Sequence, residues 1–345
     1  MKNVTIAFAA SALLIAGCGG KSVVPTGSAG AGSTGMSVHH AVHPGITSSI
    51  TELPVPQPSS GPTGITAGPD GNVWFTEYFK NAIGVVNVAK NTIKHFKLTT
   101  KNARPASIVA GADGNLWFTE SIGNKIGRIS TAGVVTEYPL PTAKSDPIGI
   151  ANGPDGNIWF TELNHNKIAS INTTFGNITE YAIPTAHSHP AFVAVSTDGS
   201  IWFTENTANK IAELTFRGVQ EFALAAGTLP EGIAQGPDGN MWFTEGGTSQ
   251  IGMITSAGIV TNYNTPTAGA GPSRICIGPG DDGNPALWFT ETTANNIAQI
   301  TTAGVVSEFP IPTAASDATG IALGPDNDIW FAEHATNNVA VETGI

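Results

Sequence analysis

At 345 residues, with 12% charged side chains and 26 Asp plus Glu against 15 Lys plus Arg, the chain carries an acidic field that repels a phosphate backbone. Nucleic acid is therefore not expected as a partner. Length alone allows one large domain or two ordinary ones, a choice that an internal repeat decides.

The first segment, MKNVTIAFAASALLIAGCGG, has a single Lys at position 2, an apolar run from Val4 to Ile15 and small residues ahead of Cys18. It is too short to span a bilayer as a stable helix and has the layout of a secretory signal. The tetrapeptide Ile15-Ala16-Gly17-Cys18 resembles the bacterial lipobox, in which the Cys is diacylated and becomes the first residue of the mature protein. The alternative is an ordinary signal cleaved nearby, with Cys18 incidental. The resemblance implies a lipoprotein signal peptide over 1–17, a lipid-anchored flexible tether over 18–45 and a folded domain over 46–345. The expected address is the extracytoplasmic side of a membrane.

Residues 19–45 are rich in Gly, Ser, Thr and Ala without an apolar period, and as a coil they reach roughly 30 Å. His39, His40 and His43 fall in this tether, where solvated side chains are expected rather than ligands. With Cys18 acylated only Cys276 remains, so no intrachain disulfide is expected and stability must come from packing. Cys276 lies in the run Arg274-Ile275-Cys276-Ile277 and is expected to be a small core residue.

From here on the chain repeats. All seven tryptophans, at 74, 117, 159, 202, 242, 288 and 330, sit in edited copies of GPDGNIWFTE, spaced by 43, 42, 43, 40, 46 and 42 residues. One copy, PIGIANGPDGNIWFTELNHNKIASINTTFGNITEYAIP from Pro147, divides at turn signals into four short extended runs: Ile148 to Ala151, Ile158 to Thr161, Ile168 to Ile171 and Ile178 to Ile183. Gly156 can take the positive φ that a turn between two strands needs, and another turn falls at Gly176. No segment has a helical period. Four strands per unit, seven times over, predicts an all-β, seven-bladed β-propeller with four antiparallel strands per blade. The run Ile158-Trp159-Phe160 is continuously apolar because neighbouring blades cover both faces of a blade.

The C-terminus stops after a third strand, Asn337 to Glu342, whereas Ile50 to Pro56 matches the fourth-strand phrase Val135 to Pro141. The N-terminal strand should therefore close the last blade, leaving no open edge in the ring.

In such a blade the start of strand one and the end of strand two share one end of the sheet. One face of the propeller should thus carry Glu77, Glu120, Glu162, Glu205, Glu245, Glu291 and Glu333. As an acidic funnel they would bind a hard cation or handle protons; as scaffold they would accept local hydrogen bonds or pair with the Asn-Lys that follows. Blades three and four depart from the repeat with Asp146, His165, His187 and His189. Asp146, Glu162 and Glu205 are the candidate ligands for a divalent cation, and His189 and His165 the candidate bases near neutral pH. Arg104, Glu231, Arg274, Asp317 and His334 are further departures, scattered along the chain.

The repeated PxGI, GPDGNIWFTE, NKIGRI and ITEYPxPT phrases resemble the streptogramin B lyase (virginiamycin B lyase) family over about 46 to 345. That resemblance implies a seven-bladed propeller and a magnesium-dependent elimination that opens the ester ring of a cyclic depsipeptide. It also implies a pocket made of Glu-x-His at the start of a blade, a second Glu fourteen residues after that His, and a Pro-His in the preceding blade. The second Glu is matched in every blade. The base is not: the positions after the opening proline, or its equivalent, are Thr63, Ala106, Ile148, Ala191, Glu231, Ser273 and Thr319. The first acid is matched only by Asp146 and Asp317.

Two functions follow. One is a lipid-anchored propeller, expected as a monomer, that presents its loop face to a small-molecule or protein ligand. The other is a lyase or hydrolase with a site relocated to blades three and four, using Mg²⁺ held by Asp146, Glu162 and Glu205.

Overall fold

In the third copy the strands run Pro147–Asn152, Ile158–Glu162, Lys167–Ile171 and Ile178–Ala182, close to the expected runs. Antiparallel ladders join them in chain order. The connecting turns place Gly156 and Gly176 at φ 74° and 73°, where a side chain would be strained. The structure, a computed structural model, describes residues 49–344, and in them this unit forms seven separate four-stranded sheets. The first strand of each blade packs against that of the next, from blade one to blade seven and back to blade one. The chain is an all-β seven-bladed propeller, closed as expected: Ser49–Pro54 pairs antiparallel with Asn338–Thr343 as the outer strand of blade seven.

The signal, the tether and Cys18 lie outside the described residues. Among the described residues no helix is long and apolar enough to cross a membrane.

Consecutive Trp and Phe side chains point into opposite inter-blade layers. Each layer joins the Trp of one blade to the Phe of the next, as in Trp117 with Phe160 and Trp159 with Phe203, and the series returns to Trp330 with Phe75. Burying each ring contributes roughly 1.5–3 kcal/mol, so the fourteen aromatics dominate the core. In six blades the indole also stacks on the fourth-strand aromatic, for example Trp117 on Tyr138 at 5.6 Å between centroids. The turn Asp has a task beyond turning: in five blades it accepts the indole N–H four residues later, at 3.0–3.3 Å.

Two polar staples recur between blades, the first in six layers and the second in five. The Thr of the phrase accepts from its own first strand and donates to a carbonyl of the next, as in Gly149 N to Thr161 Oγ1 and Thr161 Oγ1 to Ala191 O, both 2.9 Å. Fourth-strand glutamates accept from the threonine that follows the preceding blade, as in Thr142 N and Oγ1 to Glu180 at 3.1 and 2.9 Å. Cys276 is only partly buried, packed beside the layer of Trp288 and Ile321, and burial pushes its thiol up to about 12.

Candidate functional site

The ladder sets Pro147 opposite Glu162 and Glu162 opposite Lys167, so first-strand starts, second-strand ends and third-strand starts share one face, the loop face. The seven glutamates stand at this end but form no funnel, a correction to the cation-binding expectation. All are fully buried. The second strand is covered on both sides along its whole length, so its last residue lies between blades rather than in the bore.

Burial pushes Glu120 up to about 8 and Glu162, Glu205 and Glu291 up to about 7, and it raises Glu77, Glu245 and Glu333 in the same direction. A second carboxylate on the fourth strand adds to this at Glu120, Glu162, Glu205 and Glu291. Neither oxygen of Glu120, Glu162 or Glu205 receives a well-formed hydrogen bond. The Ser145 hydroxyl eases the shift of Glu162, yet it is committed to Thr142 O at 2.8 Å.

The lysines expected to partner these glutamates instead bind the fourth-strand acids: Lys125 to Glu137 at 2.9 Å, Lys167 to Glu180 at 2.5 Å and Lys210 to Glu221 at 2.7 Å. Against the effect of burial, hydrogen bonds from Thr100, Lys125 and Thr99 hold Glu137 down at about 2. The lysine-bound acid is thus held toward the charged form, while burial holds its neighbour Glu120, Glu162 or Glu205 toward the protonated one.

Of the sequence candidates, the histidines come together and the acids do not. His165, His187 and His189 line a cleft of about 300 Å³ between blades three and four. His165 ends the 3-10 turn Leu163–His165, and His189 Nδ1 lies 2.6 Å from Thr207 Oγ1. Asp146 accepts a long 3.4 Å bond from Asn164, while Glu162 and Glu205 are sealed in different blade stacks. Among the described residues no three His, Cys, Asp or Glu side chains are grouped as a metal centre requires. Asp146, Glu162 and Glu205 therefore do not fit a shared Mg²⁺.

Sequence reasoning missed a ring of strain at the mouth of the bore. The residue before the opening proline or its equivalent is left-handed in every blade: Gly61, Arg104, Asp146, His189, Leu229, Gly271 and Asp317, with φ between 47° and 65°. For non-glycine residues this costs of order 1–3 kcal/mol each. The glycines at two of the seven positions were the available signal.

The scattered departures also fall into groups. A cavity of about 400 Å³ over blades four to seven is lined by Asn206, Glu231, Ser273, Thr292, Asp317 and Thr319 among others. Ser273 Oγ donates to Glu231 at 2.7 Å. Thr319 Oγ1 donates to Thr63 O at 3.1 Å, making in blade seven the inter-blade staple for which Ala332 has no hydroxyl. On the far side of the mouth Arg104 lies over Tyr78 and Phe79 at 4.9 and 5.3 Å, and the His334 ring lies 5.1 Å from Phe79.

Comparison with known proteins agrees with this architecture. The profile of the virginiamycin B lyase family matches residues 48–226 and 217–343. The virginiamycin B lyase from Staphylococcus aureus, in selenomethionine form, is 37% identical, with 87% of this chain and 100% of that chain covered and a TM-score of 0.80. A catalytically inactive histidine-to-alanine form of that lyase with quinupristin gives the same identity and coverage and a TM-score of 0.81. Hydrazine synthase from Kuenenia stuttgartiensis, 14% identical over 84% of this chain and 98% of that chain with a TM-score of 0.67, shares the fold alone. No curated protein sequence matches significantly.

Proposed function

The chain belongs to the virginiamycin B lyase family, and from that premise we propose that it is a ligand-binding member that does not perform the family's elimination. It is exported, held to a membrane through Cys18, and takes a small polar ligand into the loop-face cavity over blades four to seven.

The observation that carries this reading is the chemistry at the two blade starts that match the first acid of the family pattern, Asp146 and Asp317, which are followed by Ile148 and Thr319 where the resemblance calls for histidine. Blade seven writes Asp317, then Thr319, then Glu333 fourteen residues on, and blade six writes Ser273. An elimination needs a group to take the α proton. An alcohol is no such base at neutral pH, and the Thr319 hydroxyl is already spent on Thr63 O. Glu333 is sealed from the cavity, its Oε2 accepting from Thr336 at 2.6 Å and Asn338 at 2.9 Å. In the staphylococcal relative, a histidine-to-alanine form is catalytically inactive and was obtained with quinupristin. What the cavity keeps is a set of hydroxyls, an amide and two carboxylates around a volume of about 400 Å³, suited to a polar ligand rich in donors.

Incubation with quinupristin and Mg²⁺, followed by mass spectrometry, should yield no ring-opened product. In a thermal-shift screen of polar small molecules, any stabilising compound should lose its effect in Glu231→Ala. Turnover of quinupristin that disappears in Glu333→Gln would overturn the proposal. Cys18→Ser should move the chain from the membrane fraction to the soluble one. A relocated hydrolase or lyase in the cleft of His165 and His189 is the second reading, favoured by that grouping of histidines. Wild-type turnover abolished by His189→Ala would promote it.

A further inference from the structure

The position two residues after each blade's opening proline or its equivalent faces the axial channel, and in four blades it is Gly64, Gly149, Gly232 and Gly320. The reason is crowding of the first strands: a Cβ on Gly149 would come within 2.6 Å of Ala191 O. Blade two has Ser107. Only blades four and six carry large side chains there, Phe192 and Arg274, and these two reach across Gly232 to stack, with the guanidinium carbon 3.4 Å from the ring centroid.

Among the described residues lining the channel at this depth, Arg274 is the one cation. Among the described residues it makes no ion pair, and its side-chain N–H groups donate to no protein acceptor. Glu231 is close enough to favour the charged form, but it takes its hydrogen bond from Ser273. Arg274 is only partly buried, and it lines a cavity of about 140 Å³ together with Ser107. That is far more room than the roughly 10–15 Å³ a single water requires. A fork of donors with one face fixed on an aromatic ring suits a planar or tetrahedral oxyanion, which the fork can hold bidentately.

We propose that the axial channel is an oxyanion site, in which Arg274 stacked on Phe192 binds a carboxylate or inorganic phosphate. The site uses neither Thr319 nor Glu333, so its failure would leave the loop-face proposal standing.

The test is isothermal titration of the folded chain with sodium acetate and, separately, with inorganic phosphate, at constant ionic strength. Wild type should bind one or both saturably with a stoichiometry of one, and the stronger arm identifies the chemistry. Arg274→Met should bind at least ten-fold more weakly, with unchanged tryptophan fluorescence. Arg274→Lys keeps the charge but not the fork, and Phe192→Leu removes the ring on which the guanidinium rests, so each should bind at least three-fold more weakly. No saturable binding to wild type, or affinity in Arg274→Met or Arg274→Lys equal to wild type, overturns the proposal.

Discussion

Glu120→Gln tests the account of the buried glutamates most directly. Glu120 is fully buried, and burial first, then repulsion by Glu137, raises it from 4.5 to about 8. A carboxyl whose folded pKa lies above its unfolded value contributes its full stability below about 4.5 and loses it as pH rises through about 8. A rise from 4.5 to about 8 corresponds to about 4.8 kcal/mol at ~1.36 kcal/mol per pH unit, of which about 4 kcal/mol falls between pH 5 and pH 9. Water reaching the ionised group lowers this, so a relative gain of ~2–4 kcal/mol is expected for the variant. Gln keeps the shape and cannot ionise. Urea denaturation of both proteins at pH 5, 7 and 9 should give nearly equal stabilities at pH 5 and a variant that is progressively the more stable toward pH 9. Six other buried glutamates make the wild type decline as well, so the difference between the two proteins is the quantity to read. A difference that stays constant within ~0.5 kcal/mol across that range would refute the assignment of a proton to Glu120.

Three further outcomes follow from the packing. Asn337→Ala removes the side chain that donates to Val55 O and Gln57 O and accepts from Ser60, so the ring should open more easily, by ~2–4 kcal/mol in urea denaturation. Asp238→Ala, which frees the Trp242 indole, should cost ~1 kcal/mol through that bond in thermal melts, while Asp198→Ala should leave Trp202 fluorescence unchanged because Asp198 bonds Ser196 and Ser200 instead. Leu229→Gly relieves a left-handed residue at φ 47° and should stabilise by ~0.5–1 kcal/mol despite the entropy of glycine, as read by denaturant midpoint.

The blades were legible because their marks are local. Seven Trp at near-constant spacing and a fourth-strand phrase displaced to Ile50–Pro56 require no knowledge of contacts. The direction of the ring glutamates was not legible. A half-buried strand betrays its faces by alternation, but the second strand is buried at all five positions, so residue type says nothing about which way Glu162 points. Lys167 misled for a related reason: it adjoins Glu162 in the ladder, yet Thr142 from the preceding blade draws it to Glu180. His165 and His189 could be placed together because their loops flank one blade boundary. Glu231 and Asp317 looked scattered because they come from blades five and seven, and only closure of the ring brings them onto one wall.

Closing the seventh blade with Ser49–Pro54 also decides which way the molecule faces. Ser49 enters opposite Thr343, hydroxyl to hydroxyl at 3.1 Å, whereas Pro54 lies opposite Asn338 at the loop end. Both ends of the described chain therefore emerge from the side of the Pro-Asp-Gly-Asn turns. A handle joined at Ser49 or Thr343 would grip the propeller at the end of the blades opposite the cavity of Glu231 and Ser273.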